Sequence, residues 1–581
     1  MDNRIIRKLF RSTLTVQILT ALTAVLGSVV DGAVTGACLG VDAMTAYGLV
    51  LPIITIFSGI SSIFGTGISI PCGRSIGAGN REETVRIFSE SMMSAFLLSL
   101  ILLAATFFGA DGIAGLLGAS GAYAAEASDY LRGFAFSAPA IIFMVALLPI
   151  MQLDGDRNRP LRAVGLMTLI NVCGDLLNGL VLHRGLFVMA LATTVSYYVA
   201  AVVLLLHFRK GGNLFRLSIR WPGIGTLKDL LSYGVPNALQ HLSRSLLTIC
   251  LNHILLTVAN ERAVAAYSAI YTASVLCMAF GSGIGQSTSV ITGVLAGEKD
   301  AEGIRSLLRE AMRTALVMNG LLTILMFAAA SPVMGIVLRG DMTTHETAAF
   351  GFRLYSLSII VYAVNVTMRS YYQAMHKVRL AYPYVILDNF LSTALAAWGL
   401  SRVFGLTGVW MSFLFGEAIT LLVFALIALR NGTTGTLLER MLEIKPDFTE
   451  GIEAIQSWSS TTKEQVITVS EGVSVFLRDH GATQREAYFL SLAVEEMGMN
   501  IIRYGFADGK SHSIDLKAVR QNGSWILRVR DDCPLFDPVH YMEGFEAASP
   551  EVHIGIRMVS GMAKRMEYVN TLKTNNLLIE I

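Results

Sequence analysis

Twelve apolar runs of about 20 residues, parted by short polar loops, fill the first 430 residues and leave this chain few ways to fold. A run of that length matches the hydrocarbon thickness of a bilayer. In lipid it must satisfy its own backbone hydrogen bonds, so each run is predicted to be a helix. The runs fall near 16–38, 47–71, 88–110, 131–152, 161–182, 186–208, 233–258, 267–292, 311–334, 352–374, 381–401 and 405–429. Only 15% of the residues are charged against 53% hydrophobic, and beyond residue 430 the composition becomes that of an ordinary soluble domain. A net charge of +2 gives no reason to expect a nucleic-acid partner.

The placement of charge says more. With the N-terminus inside, the inward segments carry about 22 Lys and Arg, among them Arg74, Arg81, Arg86, Arg157, Arg159, Arg162, Arg209, Lys210, Lys299 and Arg305. The outward loops carry about six. This bias predicts a multi-pass inner (plasma) membrane protein, in contact with the lipid bilayer, with both termini in the cytoplasm. In MDNRIIRKLFRS, Ile5, Ile6, Leu9 and Phe10 lie near one helical face and Arg4, Arg7, Lys8 and Arg11 towards the other. That pattern suits a short helix on the membrane surface, or a frayed basic tail. The N-terminus shows no small-residue cleavage site, so no removable signal peptide is read. Six scattered cysteines, Cys38, Cys72, Cys173, Cys250, Cys277 and Cys533, predict neither a disulfide framework nor a zinc site.

The chain also repeats itself. GTGISIPCGRSIGAGNRE (65–82) and GSGIGQSTSVITGVLAGEKD (281–300) align at an offset of 218, matching Gly65, Gly67, Ser69, Ala78 and Gly79 to Gly283, Gly285, Ser287, Ala296 and Gly297. An offset near half the membrane region predicts two six-span halves, 1–220 and 221–430. Because six spans return the chain to its starting side, the halves point the same way, about an axis along the membrane normal. Transporters built so hold substrate between the repeats.

Ionisable residues within spans are costly and mark ion or substrate paths. Four acids qualify: Asp31, Asp175, Asp388 and Glu417, with Asn171 one turn before Asp175 and Thr193 in the sixth span. A buried carboxylate among polar neighbours can carry a proton, and the same oxygens could hold Na+. Asp388 and Glu417 could equally be solvated at span ends. Arg244 and His241 lie within the seventh span, where they could pair with one of the acids.

VVDGAVTGACLG (29–40), GRSIGAGNRE (73–82), MQLDGDRNRP (151–160), LINVCGDLLNG (169–179) and MALATTVSYY (189–198), with SYGVPNALQ (232–240) and GVLAGEKD (293–300) in the second half, resemble the MATE multidrug exporters over nearly all of 10–430. The resemblance implies an all-α transmembrane fold of 12 helices in two six-helix lobes. It also implies an antiporter that expels cationic or lipophilic small molecules against H+ or Na+. Asp31, Asn171, Asp175 and Thr193 match the N-lobe cation cluster of one branch of that family. Another branch has an acid in the seventh span; NALQHLSRSLLT has none, which puts a C-lobe ion site in doubt.

Behind a polar linker (431–458) comes a domain at 459–581. TTKEQVITVSEGVSVFLRDHG (461–481) and TQREAYFLSLAVEEMGMNIIRYGF (483–506) read as amphipathic helices. SIDLKAVR (513–520) and SWILRVRDD (524–532) read as strands, HIGIRMVSGMAKRMEYVN (553–570) as a helix, and NLLIEI as a closing strand, together an α+β sandwich. Glu496 and Asn500, four apart, share a helix face. A carboxylate there can orient or deprotonate a nucleophile, and an amide oxygen suits Mg2+. Asp531 at a strand end could accept from an adenine amine, and a helix opening near Gly555 would offer its N–H groups to phosphate.

EEMGMN (495–500), RDDCPLFDP (530–538) and HIGIRMV (553–559) are similar to the boxes of the GHKL ATPase superfamily, most closely its anti-sigma-factor serine-kinase branch. That resemblance implies ATP and Mg2+ as ligands, with Glu496 catalytic, Asn500 holding Mg2+, and Asp531 and Gly555 binding nucleotide. It further implies serine-kinase activity and a soluble partner of the anti-sigma-factor-antagonist type. Cys533 and His553 stand where that family has Gly, so a side chain could crowd the nucleotide. No G-x-x-x-x-G-K-[ST] occurs, so no P-loop motor is expected. The leading expectation is therefore a cation-coupled exporter with a regulatory nucleotide-binding tail. The alternatives are a membrane-tethered signalling kinase whose spans became a sensor, and a lipid-linked-sugar flippase. Few Arg or Lys lie inside the spans, which disfavours the flippase.

Overall fold

The structure, a computed structural model, describes residues 4–34, 40–117, 119, 122–156, 158–209, 213–337, 342–430, 436–444, 446–508, 510–543 and 554–581. The first half comprises α1 (Arg4–Val34), α2 (Gly40–Gly77) and α3 (Arg81–Leu116). A bent pair follows, α4 (Ala122–Ala135) and α5 (Ala138–Leu153). Then come α6 (Asn158–Leu177), which widens into a π-turn at Asn178–Leu182, and α7 (Gly185–Leu205). The second half has the same plan: α8 (Ile224–Val258), α9 (Glu261–Gly297), α10 (Ala301–Ala328), the short α11 (Ala330–Val337), and a second bent pair, α12 (Met342–Ser356) and α13 (Ser358–Ala374). It ends with α14 (Val378–Ile386), a π-turn at Leu387–Leu391 and α15 (Ser392–Arg430).

Among the described residues seven stretches are long and apolar enough to cross a bilayer, and nine once the two bent pairs, turned by 50° and 45°, each count as one crossing. One of the seven, Val378–Arg430, reverses direction at Gly405 (φ 57°). Thr420 Oγ1 donates to Ser392 Oγ at 2.9 Å across 28 residues, which a straight helix would hold roughly 40 Å apart. With α1 and α8, of spanning length but more polar, the described helices match the twelve expected passages. The chain is thus a multi-pass membrane protein.

The register of the repeat needs correcting. Contacts between α2 and α9 are reciprocal at an offset of 220. A Cβ on Gly77 would overlap the Val294 carbonyl, one on Gly297 would overlap the Arg74 carbonyl, and Arg74 and Val294 are themselves 220 apart. The turns that follow agree. Asn80 caps α3 through Glu83 N–H and Asp300 caps α10 through Gly303 N–H. The breaks within the bent pairs, at Ser137 and Leu357, are also 220 apart. Both segments are so rich in glycine that several alignments score alike; only packing selects one, pairing Gly65, Gly73 and Gly77 with Gly285, Gly293 and Gly297. Reciprocal contacts of this kind mean a two-fold relation between the lobes. Since no Cβ fits between the crossing backbones, Gly297→Ala should cost roughly 1–3 kcal/mol, read as a lower melting temperature of the purified protein.

Downstream of the bundle lie α16 (Leu437–Leu442), β1 (Ile452–Ser460), α17 (Lys463–Asp479), α18 (Gln484–Asn500), β2 (Ile514–Gln521), β3 (Ser524–Asp531), α19 (Pro538–Glu543), α20 (Ile554–Met562), β4 (Arg565–Thr571) and β5 (Thr574–Glu580). The strands form one antiparallel sheet in the order β1-β2-β3-β5-β4. Two expectations fail here. The predicted helix over 553–570 stops at Met562, and RMEYVNT is instead strand β4, paired with β5. Part of the expected linker is edge strand β1, paired with β2. In β1 the apolar residues Ile452, Ala454, Ile455 and Trp458 do not keep a strict period of two, the register shifting between Ile452 and Ala454, and only two residues separate β4 from the end of α20, so neither stretch announces a strand in sequence.

One sheet face, with Leu516, Leu527, Val529, Leu577 and Ile579, packs on α17, α18 and α20 through Val473, Leu490, Val494 and Val559. The other face is charged and meets the end of the helical bundle that carries the turns Gly77–Asn80 and Gly297–Asp300. The N-terminal basic segment is neither a separate surface helix nor frayed. It forms the first turns of α1, with Ile5, Ile6 and Phe10 buried inside the protein; Arg11 donates to Glu310 at 2.9 Å and Lys8 pairs with Asp532.

Candidate functional site

In the first lobe, α6 carries Asn171 and Asp175 inward, and both are buried. Asn171 Nδ2 donates to Asp175 Oδ2 at 3.1 Å, and Ser196 Oγ on α7 donates to Asn171 Oδ1 at 3.3 Å. Ser196 also donates to the Thr193 carbonyl at 2.7 Å, while the Thr193 hydroxyl turns back to the Met189 carbonyl. Asp175, Asn171 and the helix turn bearing Thr193 are therefore brought together, with Thr193 at the periphery. Directly after Asp175 the helix opens into its π-turn, a distortion that is common at functional positions because it re-aims side chains. The expected fourth member, Asp31, lies on α1, and its side chain is outside the described residues.

The second lobe holds a cluster of its own. Asp388 sits in the π-turn after α14 and pairs with Arg369 of α13, both side chains being 5% exposed or less. Asn389 Nδ2 donates to Asp388 Oδ2 at 3.2 Å. Asn365 Nδ2 donates to Glu417 Oε2 at 2.6 Å, and Tyr384 OH donates to Asn365 Oδ1 at 2.8 Å. Asp388 is thus not solvated at a span end but buried in an ion pair. Arg244 lies near Asp388, but among the described residues its hydrogen bonds go elsewhere: its Nε donates to Asn389 Oδ1 at 3.0 Å and its Nη2 to Tyr362 OH at 3.2 Å. Arg244, Tyr267, Tyr271, Tyr355, Phe413 and Glu417 line one cavity. Sequence reasoning missed Arg369, although an Arg well inside the apolar run 352–374, unlike Arg353 at its edge, was a visible signal.

In the tail, α18 begins at a capping box, Thr483 and Glu486, which fixes its start and so the phase of the face carrying Glu496 and Asn500. The Glu496 carboxylate abuts the backbone at Gly555, where a Cβ would overlap it, so the first turn of α20 sits against the candidate acid. Glu495 points elsewhere and accepts from Ser470 Oγ at 2.7 Å on α17. Asp531 is buried at the end of β3, its Oδ1 accepting from Cys533 N–H (3.0 Å) and Asn575 Nδ2 (2.8 Å). Burial pushes this carboxyl above its usual range, against those two hydrogen bonds.

The anticipated crowding by Cys533 has a local answer. Its Sγ lies 2.8 Å from where a Cβ of Gly505 would be, so the missing side chain at Gly505 makes room for the sulfur. Burial raises its thiol pKa strongly, keeping it unreactive. His553 lies outside the described residues. The residue types suit a nucleotide: Asn500 offers an amide oxygen, Asp531 a buried carboxylate, and the Gly555 turn, which the Glu496 carboxylate now abuts, has no side chain of its own.

The model of the MatE family matches residues 17–177 and 236–398, and that of the histidine kinase-like ATPase domain matches 459–580. The multidrug export protein MepA of Staphylococcus saprophyticus is 22% identical over 395 residues, spanning 66% of this chain and 85% of its own. The probable multidrug resistance protein YoeA of Bacillus subtilis is 23% identical over 367 residues, spanning 59% and 77%. Among solved structures, an outward-facing multidrug resistance MATE transporter aligns with a TM-score of 0.69 at 20% identity. It covers 72% of this chain and 94% of its own. A MOP superfamily transporter from Pyrococcus furiosus, whose binding pocket is described as reversed in polarity, aligns at 0.67 and 22%.

Proposed function

Since this chain belongs to the MatE family and carries a histidine kinase-like ATPase domain behind its membrane helices, we propose that it is a cation-coupled antiporter with a nucleotide-binding regulatory tail. It exports lipophilic or cationic small molecules. The observation that carries the reading is the buried Asn171–Asp175 pair beside a π-turn in the first lobe. A carboxylate hydrogen-bonded by an amide can alternate between holding H+ or Na+ and releasing it, which is what exchange for a substrate demands. In the second lobe both acids are engaged, Asp388 by Arg369 and Glu417 by Asn365.

In the tail, Asn500 would hold Mg2+, the Gly555 turn the phosphates and Asp531 the adenine, with Glu496 as the catalytic carboxylate. ATP binding follows from the family of this domain, and its role here is regulatory. The proposed arrangement places the lobes at 1–220 and 221–430 with both termini cytoplasmic. The reading is tested by reconstituting the full chain in vesicles and following a fluorescent cation under an imposed pH or Na+ gradient without ATP. Transport is expected under the gradient alone. Movement only after Mg-ATP is added would overturn the antiporter reading.

A further inference from the structure

Two turns that meet at the two-fold, Gly77–Asn80 of the first lobe and Gly297–Asp300 of the second, are where the lobes touch at the tail-side end. Both are gripped by the outer face of the same five-stranded sheet. On the second-lobe turn, Lys517 of β2 pairs with Asp300 and Arg530 of β3 pairs with Glu298, while Arg528 reaches the Glu298 carbonyl. On the first-lobe turn, Arg565 of β4 donates to the Gly79 carbonyl, and Leu578 of β5 lies against Gly79. The β4–β5 hairpin adds a backbone bond, Leu572 N–H to the Leu153 carbonyl at 3.2 Å, and Asn570 covers Gly155.

These are not loose surface pairs. Lys517 and Arg530 are 15% exposed, Asp300 5% and Glu298 9%. Burial pushes the Asp300 carboxyl up, but Lys517, through its charge and its hydrogen bond, outweighs that and holds it below its usual range. Buried charges of this kind strand each other if one partner leaves, so the contact opens as a unit rather than fraying.

We propose that the outer face of the tail sheet is an autoinhibitory clasp, bridging both lobes at their symmetry-related turns and holding that end of the transporter shut. A rigid sheet bonded to both turns resists any cycle in which the turns part. Only the transport consequence rests on the export reading above; the clasp itself is a statement about distance.

The test therefore reads distance first. Spin labels on Glu82→Cys and Glu302→Cys, exposed positions in the first turns of α3 and α10, report the separation of the two turns in the full chain in nanodiscs, with native cysteines replaced. In the parent protein one short distance is expected. Arg530→Glu should add a longer population, and the swap Arg530→Glu with Glu298→Arg should remove it again. Arg565→Ala, on a half-exposed side chain where folding is not at stake, should loosen the first-lobe grip alone and also lengthen the distance. Gradient-driven efflux should rise about fivefold or more in the loosened variants, the lower range of allosteric coupling energies. Unchanged distances in both Arg530→Glu and Arg565→Ala, or failure of the swap to restore the short distance, would overturn the clasp. If the distances respond as expected but no variant exports the cation, the clasp stands and the export reading falls.

Discussion

Asp175→Asn should reduce gradient-driven efflux to the level of empty vesicles while leaving the protein folded. The side chain is fully buried, and asparagine has nearly its volume, so packing against α7 survives. What disappears is the ability to gain and lose charge. Asn171 Nδ2 can still donate to the new amide oxygen in place of Asp175 Oδ2, so the local hydrogen bond is kept and the loss is specific to coupling. Asp388→Asn provides the contrast. Its partner is the guanidinium of Arg369, and removing one member of a buried ion pair costs about 3–5 kcal/mol because the other is left uncompensated. That variant should lose melting temperature, whereas Asp175→Asn should not. Full efflux by Asp175→Asn in vesicles holding the same amount of protein would remove the carboxylate from the mechanism.

The second large effect is expected in the tail. Gly555→Ala places a methyl group where the Glu496 carboxylate now lies, so either Glu496 turns away or the start of α20 shifts. Overpacking of this order costs about 1–3 kcal/mol. Taken from the nucleotide-binding arrangement, it should weaken binding roughly 5- to 150-fold, measured by titrating the full chain with a fluorescent ATP analogue and Mg2+. Glu495→Gln makes the control, since that carboxylate is committed to Ser470 on α17 and should leave nucleotide affinity unchanged. Equal losses in the two variants would mean that α18 itself, not the contact with Gly555, had been disturbed.

How much of this could be read beforehand differs by element. The membrane helices were legible because bilayer thickness imposes a length that apolar composition reveals directly. The break at Leu357 and the two π-turns were not, since no residue type there forces a helix to bend and packing of neighbouring helices decides them; the break at Ser137 did leave a signal, Pro139 in the first turn of α5, whose ring cannot donate back to the preceding helix. The repeat was visible, but its register slipped by two because glycine recurs in both segments, and a missing side chain is informative only once its neighbour is known. Strands β1 and β4 escaped because Glu453, Gln456, Arg565 and Glu567 share them with few apolar residues. The i,i+4 pair Glu496 and Asn500 was found by helical geometry, whereas the ion pair of Arg369 with Asp388, 19 residues apart, needed the fold to bring its halves together.

The short helix α16 has a consequence of its own. Tyr371 and Tyr372 donate to the Leu442 and Met441 carbonyls at 2.7 and 2.8 Å, and Lys377 donates to the Glu443 carbonyl at 2.5 Å, so the strip joining tail to bundle is itself fastened to the second lobe. A sheet that lets go cannot diffuse away; it stays at an effective concentration on the order of millimolar near the turns it left. Its return is a first-order event whose rate does not depend on how many copies the cell makes, and the ratio of tail sheet to membrane bundle is fixed at one. Even a weak grip, renewed at that concentration, can set the resting state of every molecule in the membrane.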